Sequence, residues 1–581
     1  MLGVSNSFSG RRWQLAEIDE DAARALALRH GLSGVLARLL LGRGIPADAA
    51  TDYLNPTLRS LLPEPRSLSD MDKAVARTLA ALMGGERIAV FGDYDVDGSC
   101  SAALLYDFLS AVGAPPRIYI PDRMTEGYGP SAQAMLRLKE EGAGLVVTVD
   151  CGAGAVEALT AARDAGLDVI VLDHHAVENG PPAYAHVNPN RAGDTSGLGH
   201  VCAAGIVFLF LVALNRALRE AGRYGGAEPD LREYVDLVGL ATICDVVPLI
   251  GVNRAFVHTG LAKLAKLNRP GIAALARLAG VMPPFTAYHL GFVFGPRINA
   301  GGRVGRCGLG ADLLTATDVS EAAEFAAALD MHNRERQAIE QIILDEAITQ
   351  AAQQDNWPFL FAVGEGWHPG VVGIVAGRLK DRFSKPTFVA GFEGGLGRGS
   401  ARSVAGVDVG ALVRGAREAG TVEGGGGHAM AAGFSLRPEQ AEPFRRYLGE
   451  IFANLSGISG DAAALTLDGV VSPAGVTPSL VHDIARAGPF GAGCPEPILA
   501  VPDAQVVFAD VVGKGHVRLR LAGSDGGRLD AIAFRTADTA LGKALLAARG
   551  KRIHAAGRLR ADAWNGRQRL QLHLNDAAAT L

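Results

Sequence analysis

A chain of 581 residues with 48% apolar side chains, carrying 56 Lys and Arg against 61 Asp and Glu, exceeds what one hydrophobic core organises and implies roughly three or four domains. Glycine and alanine spread along the whole length exclude a fibrous or disordered class, and six scattered cysteines without a C-x-x-C pair exclude a disulfide framework or a thiolate zinc site. The longest apolar run, Val201 to Leu214, is too short to span a bilayer, and nothing at the amino terminus reads as a leader, so the expected compartment is cytoplasmic, with no membrane partner.

Residues 1–75 carry helical periodicity over Asp21 to Leu41 and end in turn-rich Tyr53-Leu54-Asn55-Pro56 and Leu62-Pro63-Glu64-Pro65, the pattern of a helical cap. Residues 76–317 open with apolar runs at Arg87 to Phe91, Arg117 to Ile120, Leu145 to Val149 and Val169 to Leu172, separated by helical stretches such as Ser101 to Val112. That alternation predicts an α/β fold with a parallel sheet. Each run ends in polar residues: Asp93, Asp95 and Asp97; Asp122 and Arg123; Asp150; then Asp173, His174 and His175. Open α/β sheets bind ligands beyond the carboxyl ends of their strands, so this is the layout of an active site.

Tyr234 to Cys244 predicts a helix with Asp245 at its end, before Val246-Val247-Pro248. The stretch 318–354 lacks Gly and Pro and predicts one helix of roughly 50 Å connecting two lobes. Residues 355–455 mix β runs (Phe359 to Val363, Thr387 to Val389) with a helix near Val371 to Phe383 and glycine-rich loops. Residues 462–581 hold short β runs at Ala504 to Asp510, His516 to Leu521, Leu529 to Phe534, Arg552 to Leu559 and Arg569 to Leu574, which suit an OB-fold barrel. From residue 501 onward thirteen Lys or Arg face seven Asp, a balance of +6 that leaves −11 for the rest of a chain with net charge −5. Clustered positive charge is what a polyanion requires.

Asp93, Asp95, Asp97 and Gly98 invite a calcium-loop reading, but the twelfth position of an EF-hand loop falls on Leu104 and a β run precedes the motif. One of the three acids, with Asp97 the first choice, is expected to cap the following helix. Three capping acids in five residues would be excessive, and close carboxylates repel unless a cation offsets them. Oxygen-rich ligands with one or two imidazoles favour Mn²⁺ or Mg²⁺ over Zn²⁺. Two such ions about 4 Å apart activate water and stabilise the leaving oxygen of a phosphate ester, so the set proposes phosphoryl hydrolysis.

The segments Gly92 to Gly98, Val149-Asp150-Cys151-Gly152, Asp173-His174-His175 and Asp245-Val246-Val247-Pro248-Leu249 resemble successive motifs of the DHH phosphoesterase family. Gly295-Pro296-Arg297-Ile298-Asn299-Ala300 with Gly302-Arg303, His368 to Ala376, Gly399-Ser400-Ala401-Arg402-Ser403, Gly424 to His428, and Pro489 to Pro497 extend the likeness to that family's bacterial single-strand-specific exonuclease branch. The likeness covers nearly the whole chain, with Cys494 standing where that pattern typically has asparagine.

The resemblance implies a DHH-type catalytic domain, a long connecting helix, a smaller α/β DHH-associated domain and a C-terminal OB-fold β-barrel. It implies that Asp95, Asp97, Asp150, His174 and Asp245 hold two divalent cations, Mn²⁺ or Mg²⁺, with Asp150 bridging. Asp93 would support them, Asp173 would orient an imidazole, and His175 would contact the scissile phosphate. Arg123, Arg297, Arg303, Ser400, Arg402 and His428 are the candidate phosphate pocket. Arg518, Arg520, Arg558, Arg560, Arg567 and Arg569, with Phe534 and Trp564 for stacking, are the candidate strand track. For any single Arg the competing reading is a surface salt bridge, and for Gly424 to Gly427 a flexible loop.

The implied activity is metal-dependent 5′ to 3′ degradation of single-stranded DNA to nucleoside 5′-monophosphates in recombination and repair, by a monomer working with a single-stranded-DNA-binding protein and a helicase. No Walker A loop is present, so unwinding is expected to come from elsewhere. Two alternatives are a DHH hydrolase of short oligoribonucleotides or nucleotide phosphates, and a non-catalytic single-strand-binding scaffold. The intact ligand set argues against the scaffold.

Overall fold

The computed structural model describes residues 3–123, 125–354, 356–454, 464–564 and 567–580. Residues Pro65–Cys244 and Lys263–Ser459 form one compact unit, and Met1–Glu64, Asp245–Ala262 and Gly460–Leu581 form another.

The first unit is built on a sheet of β1 (Arg87–Gly92), β2 (Arg117–Tyr119), β3 (Ala143–Val149), β4 (Asp168–Leu172) and β5 (Ala185–Val187). All neighbours are parallel, in the order β2-β1-β3-β4-β5. The strands read as unbroken apolar runs because both faces are covered. On one face Ala89, Phe91, Val146, Val169 and Val171 pack against α2 (Ala132–Glu140) and α3 (Val156–Asp164). On the other, Val90, Val147 and Ile170 are buried on the side of α1 (Val96–Ala111), α4 (Ala203–Glu220) and helix Met71–Gly84. Three-residue β5 was too short to read from its sequence, and α1 begins five residues before the expected Ser101.

After α5 (Val235–Cys244) and α6 (Gly295–Val304) comes α7 (Val319–Ala351), 33 residues and roughly 50 Å long, capped by Asp318 accepting from Ser320 and Glu321. One stretch of α7 packs on α6 and another on α8 (Pro369–Phe383). A second, mixed sheet follows, with β6 (Leu360–Glu365), β7 (Thr387–Glu393), β8 (Leu396–Arg402), β9 (Gly424–His428) and β10 (Ala431–Leu436) in the order β9-β10-β8-β7-β6.

The glycine-rich segments expected as loops are strands here. Gly425 (φ 154°) and Gly427 (φ 144°) lie so close to β10 that a Cβ on either would fall within 2.7 Å of a β10 carbonyl oxygen. Helix α9 (Val409–Glu418) rests on the same strand, where a Cβ at Gly410 would stand 2.5 Å from the Gly427 carbonyl oxygen. Gly425 and Gly427 therefore permit close backbone approach within a paired strand.

In the other unit, β11 (Leu499–Val512), β12 (His516–Ala522), β13 (Arg528–Ala533), β14 (Arg552–Trp564) and β15 (Arg567–Ala579) pair in the order β11-β12-β13-β15-β14, and β14 returns to β11 to close a five-stranded barrel. Alternation such as Val517, Leu519 and Leu521 inward against Arg518 and Arg520 outward fills the barrel and decorates its surface. Leu39 from the N-terminal helices enters this barrel core. The N-terminal periodicity forms two helices, Glu20–His30 and Gly34–Gly42, broken by Gly31 at φ 61°. No single helix among the described residues is long and apolar enough to cross a membrane.

Candidate metal centre

The chain leaves β1 toward β2 on one side and β3 toward β4 on the other, so the β1/β3 boundary is a switch point where loops splay apart. Asp93, Asp95 and Asp97 follow β1, and Asp150 follows β3. A tight turn turns the first three toward the crevice: a Cβ at Gly98 would lie 2.4 Å from the Asp93 carbonyl oxygen, so glycine is required.

Asp95, and not the expected Asp97, caps α1 by accepting from Gly98 N–H at 3.0 Å. Because the helix starts at Val96, Asp97 lies inside its first turn. Its two oxygens accept instead from Ala203 and Ala204 N–H, at 2.7 and 2.8 Å, at the N-terminus of α4. Asp150 has φ 59°, a left-handed conformation that Asp tolerates better than most residues. Its N–H donates to Leu172 O at 3.1 Å, and Tyr128 OH donates to its carbonyl at 3.2 Å.

Asp93, Asp95 and Asp150 bring carboxylate oxygens within 4.8 Å of one another, and Asp150, His174 and His175 do the same with their ligand atoms. His174 Nε2 stands 3.4 Å from Asp150 Oδ1 and 3.9 Å from Asp97 Oδ2. Asp173 orients His175, not His174: its Oδ1 lies 2.7 Å from His175 Nδ1. The same carboxylate accepts from the N–H groups of Ala153, His174 and His175 at 2.9, 2.7 and 3.2 Å. Asp245 directly follows Cys244, the last residue of α5, and α5 packs on α1.

Burial, reinforced by the Asp95 charge, raises the Asp93 and Asp150 carboxyls well above the ordinary range and the Asp97 carboxyl to about 7. Burial and the neighbouring His175 push His174 down to about 4, which leaves it a neutral imidazole able to ligate. Burial alone would raise Asp173, but the His175 hydrogen bond and the backbone donors bring it below the usual range. Asp93 Oδ1 and Asp150 Oδ1 are buried with no hydrogen-bond partner among the described residues. Mutually repelling buried carboxylates beside a neutral imidazole form a donor set suited to hard divalent cations such as Mn²⁺ or Mg²⁺.

The proposed phosphate residues divide. Arg303 is half-buried, donates to Gly370 O at 2.9 Å, and is pushed down to about 10 by desolvation and by the charges of Arg123 and Arg336. Arg123 lies 5.1 Å from the Tyr94 ring. Arg402 donates to Ser400 Oγ at 2.7 Å and to Ala401 O at 2.9 Å, and burial lowers its pKa. Among the described residues none of these three has an ion-pair partner. Arg297, in contrast, donates to Asp330 on α7 at 2.9 Å and to Val293 O at 2.8 Å. His428 is exposed at the end of β9.

On the barrel, Arg520 and Arg569 both pair with Asp530, and Arg560 pairs with Glu496 at 2.6 Å, so their charge is partly offset. Arg518 is exposed and lies over Phe508, Arg558 is half-buried, and Phe534 is exposed between His516 and His573. The side chains of Trp564 and Arg567 lie outside the described residues.

Sequence reasoning missed Asn188 and Asn190, whose amides donate to His175 O at 2.8 Å and His174 O at 2.7 Å and fix the imidazole pair from behind. The available signal was the Val187-Asn188-Pro189-Asn190 turn after an apolar triplet.

A parallel sheet of this order, with acids and paired histidines at its switch point, defines a phosphoesterase of the DHH type. Family models match accordingly: DHH family, N-terminal domain at residues 87–242, DHHA1 domain at 356–454, and RecJ OB domain at 467–576. The single-stranded-DNA-specific exonuclease RecJ of Bacillus subtilis is 34% identical over 582 residues, 98% of this chain and 71% of the relative. Its Escherichia coli counterpart is 35% identical over 546 residues, 90% and 92% of the two chains. The crystal structure of RecJ in complex with Mn²⁺ from Thermus thermophilus matches with a TM-score of 0.81 at 29% identity, covering 97% of this chain and 79% of that one. The chain belongs to the RecJ family.

Proposed function

We propose that this protein is a divalent-metal-dependent exonuclease that degrades single-stranded DNA from the 5′ end to nucleoside 5′-monophosphates. The observation that carries the reading is the cluster of buried Asp93, Asp97 and Asp150 with half-buried Asp95 and His174 at the sheet's switch point. Its relatives bear the name of single-stranded-DNA-specific exonucleases. Asp95, Asp97, Asp150, His174 and Asp245 would hold two Mn²⁺ or Mg²⁺ ions, and Asp93 would support them. Such ions supply an activated water and charge neutralisation at the leaving oxygen. Asp173 holds His175 through Nδ1 and would thereby orient the imidazole toward the scissile phosphate.

Arg123, Arg303, Ser400 and Arg402 would grip the terminal phosphate, since desolvated arginines without a carboxylate bind an anion strongly. The barrel would guide the strand, with Arg518, Arg558 and Phe534 as its contacts. The finer expectations carry over with this reading: a monomer in the cytoplasm, acting in repair with a single-strand-binding protein and a helicase. The residue-range division expected from the sequence carries over in the same way.

The test is digestion of end-labelled single-stranded DNA and RNA with Mn²⁺ or Mg²⁺. Wild type should release mononucleotides from the 5′ end of DNA, and Asp150→Ala should lose roughly a thousandfold or more in rate while keeping its fold by circular dichroism. Wild-type turnover by that variant would refute the two-ion scheme.

A further inference from the structure

Immediately before α6 the chain forms a π-helical turn at Leu290–Phe294, an insertion in helical geometry often found at functional positions. It displays two aromatic rings to solvent. Tyr288 is 58% exposed and Phe292 71% exposed, their centroids 5.2 Å apart and their planes 22° from parallel. Large rings held in a stack at the surface leave apolar faces uncovered, which is unfavourable unless a partner takes them.

The turn is held firmly. Phe294 is buried edge-on against Phe285 at 5.2 Å, and His289 Nδ1 accepts from Thr286 N–H at 3.0 Å. Cys244 Sγ lies 3.4 Å from Leu290 O, and Gly295 approaches so closely that a Cβ there would stand 2.7 Å from that sulfur. A Cβ at Gly291 would stand 3.3 Å from Ile243 Cγ2. The rings are thus mounted on the end of α5, one residue before Asp245.

We propose that Tyr288 and Phe292 form a stacking platform for a nucleobase of the strand being cut. The inference rests on the exonuclease reading above and adds to it a site that fixes the register of the strand beside the metal centre. Every base has a flat π-face, so a platform of this kind positions a strand without reading its sequence. Neither ring is charged or among the proposed ligands, so the pair acts by positioning.

The experiment compares wild type, Phe292→Ala and Phe292→Trp on single-stranded oligonucleotides in which one abasic nucleotide is moved stepwise from the 5′ end. Phe292→Ala should raise KM roughly 5- to 100-fold with little change in kcat, and Phe292→Trp should restore it. At one position the abasic substitution should cost wild type a similar factor and cost Phe292→Ala nothing further. An unchanged KM in Phe292→Ala, or equal abasic penalties in both enzymes at every position, would overturn the platform and leave the exonuclease reading intact. Failure of wild type to digest any single-stranded DNA would remove both.

Discussion

Arg402 shows how one side chain can separate binding from chemistry. It is half-buried on β8 with Ser400 Oγ and a main-chain carbonyl as its hydrogen-bond partners among the described residues, so an arriving phosphate would supply its missing counter-charge. Arg402→Ala is therefore expected to cost a 5′-phosphorylated substrate roughly 10- to 100-fold in kcat/KM and a 5′-hydroxyl substrate little. Equal losses on the two substrates, measured side by side, would place Arg402 outside any terminal-phosphate pocket. At this scale the acids and histidines were legible, because each follows an apolar run whose end the parallel-sheet rule assigns to one edge. What was not legible depended on partners distant in sequence: Arg297 pairs with Asp330, and the helix cap passed from Asp97 to Asp95 once α4 supplied Asp97 with two donors. The Asn188 and Asn190 side chains bond to main chain among the described residues, so the turn that carries them was their one sign in the sequence.

Among the elements, the strands of the catalytic sheet and of the barrel were legible from continuous and alternating apolar runs respectively. The tetraglycine segment was not, because composition cannot distinguish a glycine chosen for freedom from one chosen for contact. Barrel strand β12 offers a quantitative test. Arg518 faces solvent over Phe508, while neighbouring Arg520 shares Asp530 with Arg569. If the strand lies across this face, Arg518→Ala should reduce the slope of log affinity for single-stranded DNA against log salt by about 0.7, and Arg520→Ala should change it less. The slopes can be read from fluorescence anisotropy at several salt concentrations, and an unaltered slope for Arg518→Ala would remove it from the track.

For the whole molecule, the metal centre makes stability depend on pH and on cation together. A carboxyl raised in the folded state binds more protons there than when unfolded, so its contribution is present below about pH 4 and falls as pH rises to about 7 for Asp97. Asp93 and Asp150 act in the same direction. His174, lowered to about 4, acts oppositely between about pH 4 and 6.5, because its unfolded form takes the extra proton. Within the site, three raised carboxyls against one lowered imidazole make its own contribution to stability fall toward neutral pH, and cations compete with those protons. The rise in melting temperature on adding Mn²⁺ should therefore be larger at about pH 8 than at about pH 5.5, by calorimetry of the unit bearing the site. A rise independent of pH would disconnect the carboxyls from the ion.

The gathering of three distant segments into the second unit was also invisible to local pattern, since it depends on contacts such as Trp13 Nε1 donating to Asp576 at 3.0 Å and Ser7 Oγ donating to the same carboxylate at 2.6 Å. These ends are separated by 563 residues. At a synthesis rate of about 5 to 20 residues per second, the newborn amino-terminal segment waits roughly half a minute to two minutes for its mate to leave the ribosome. During that interval Leu39 lacks the barrel core it enters, while the sheet bearing Asp150 is already complete. Birth order thus leaves an early-made segment unfinished until a much later one arrives, and the interval is a window in which chaperones would find the nascent chain.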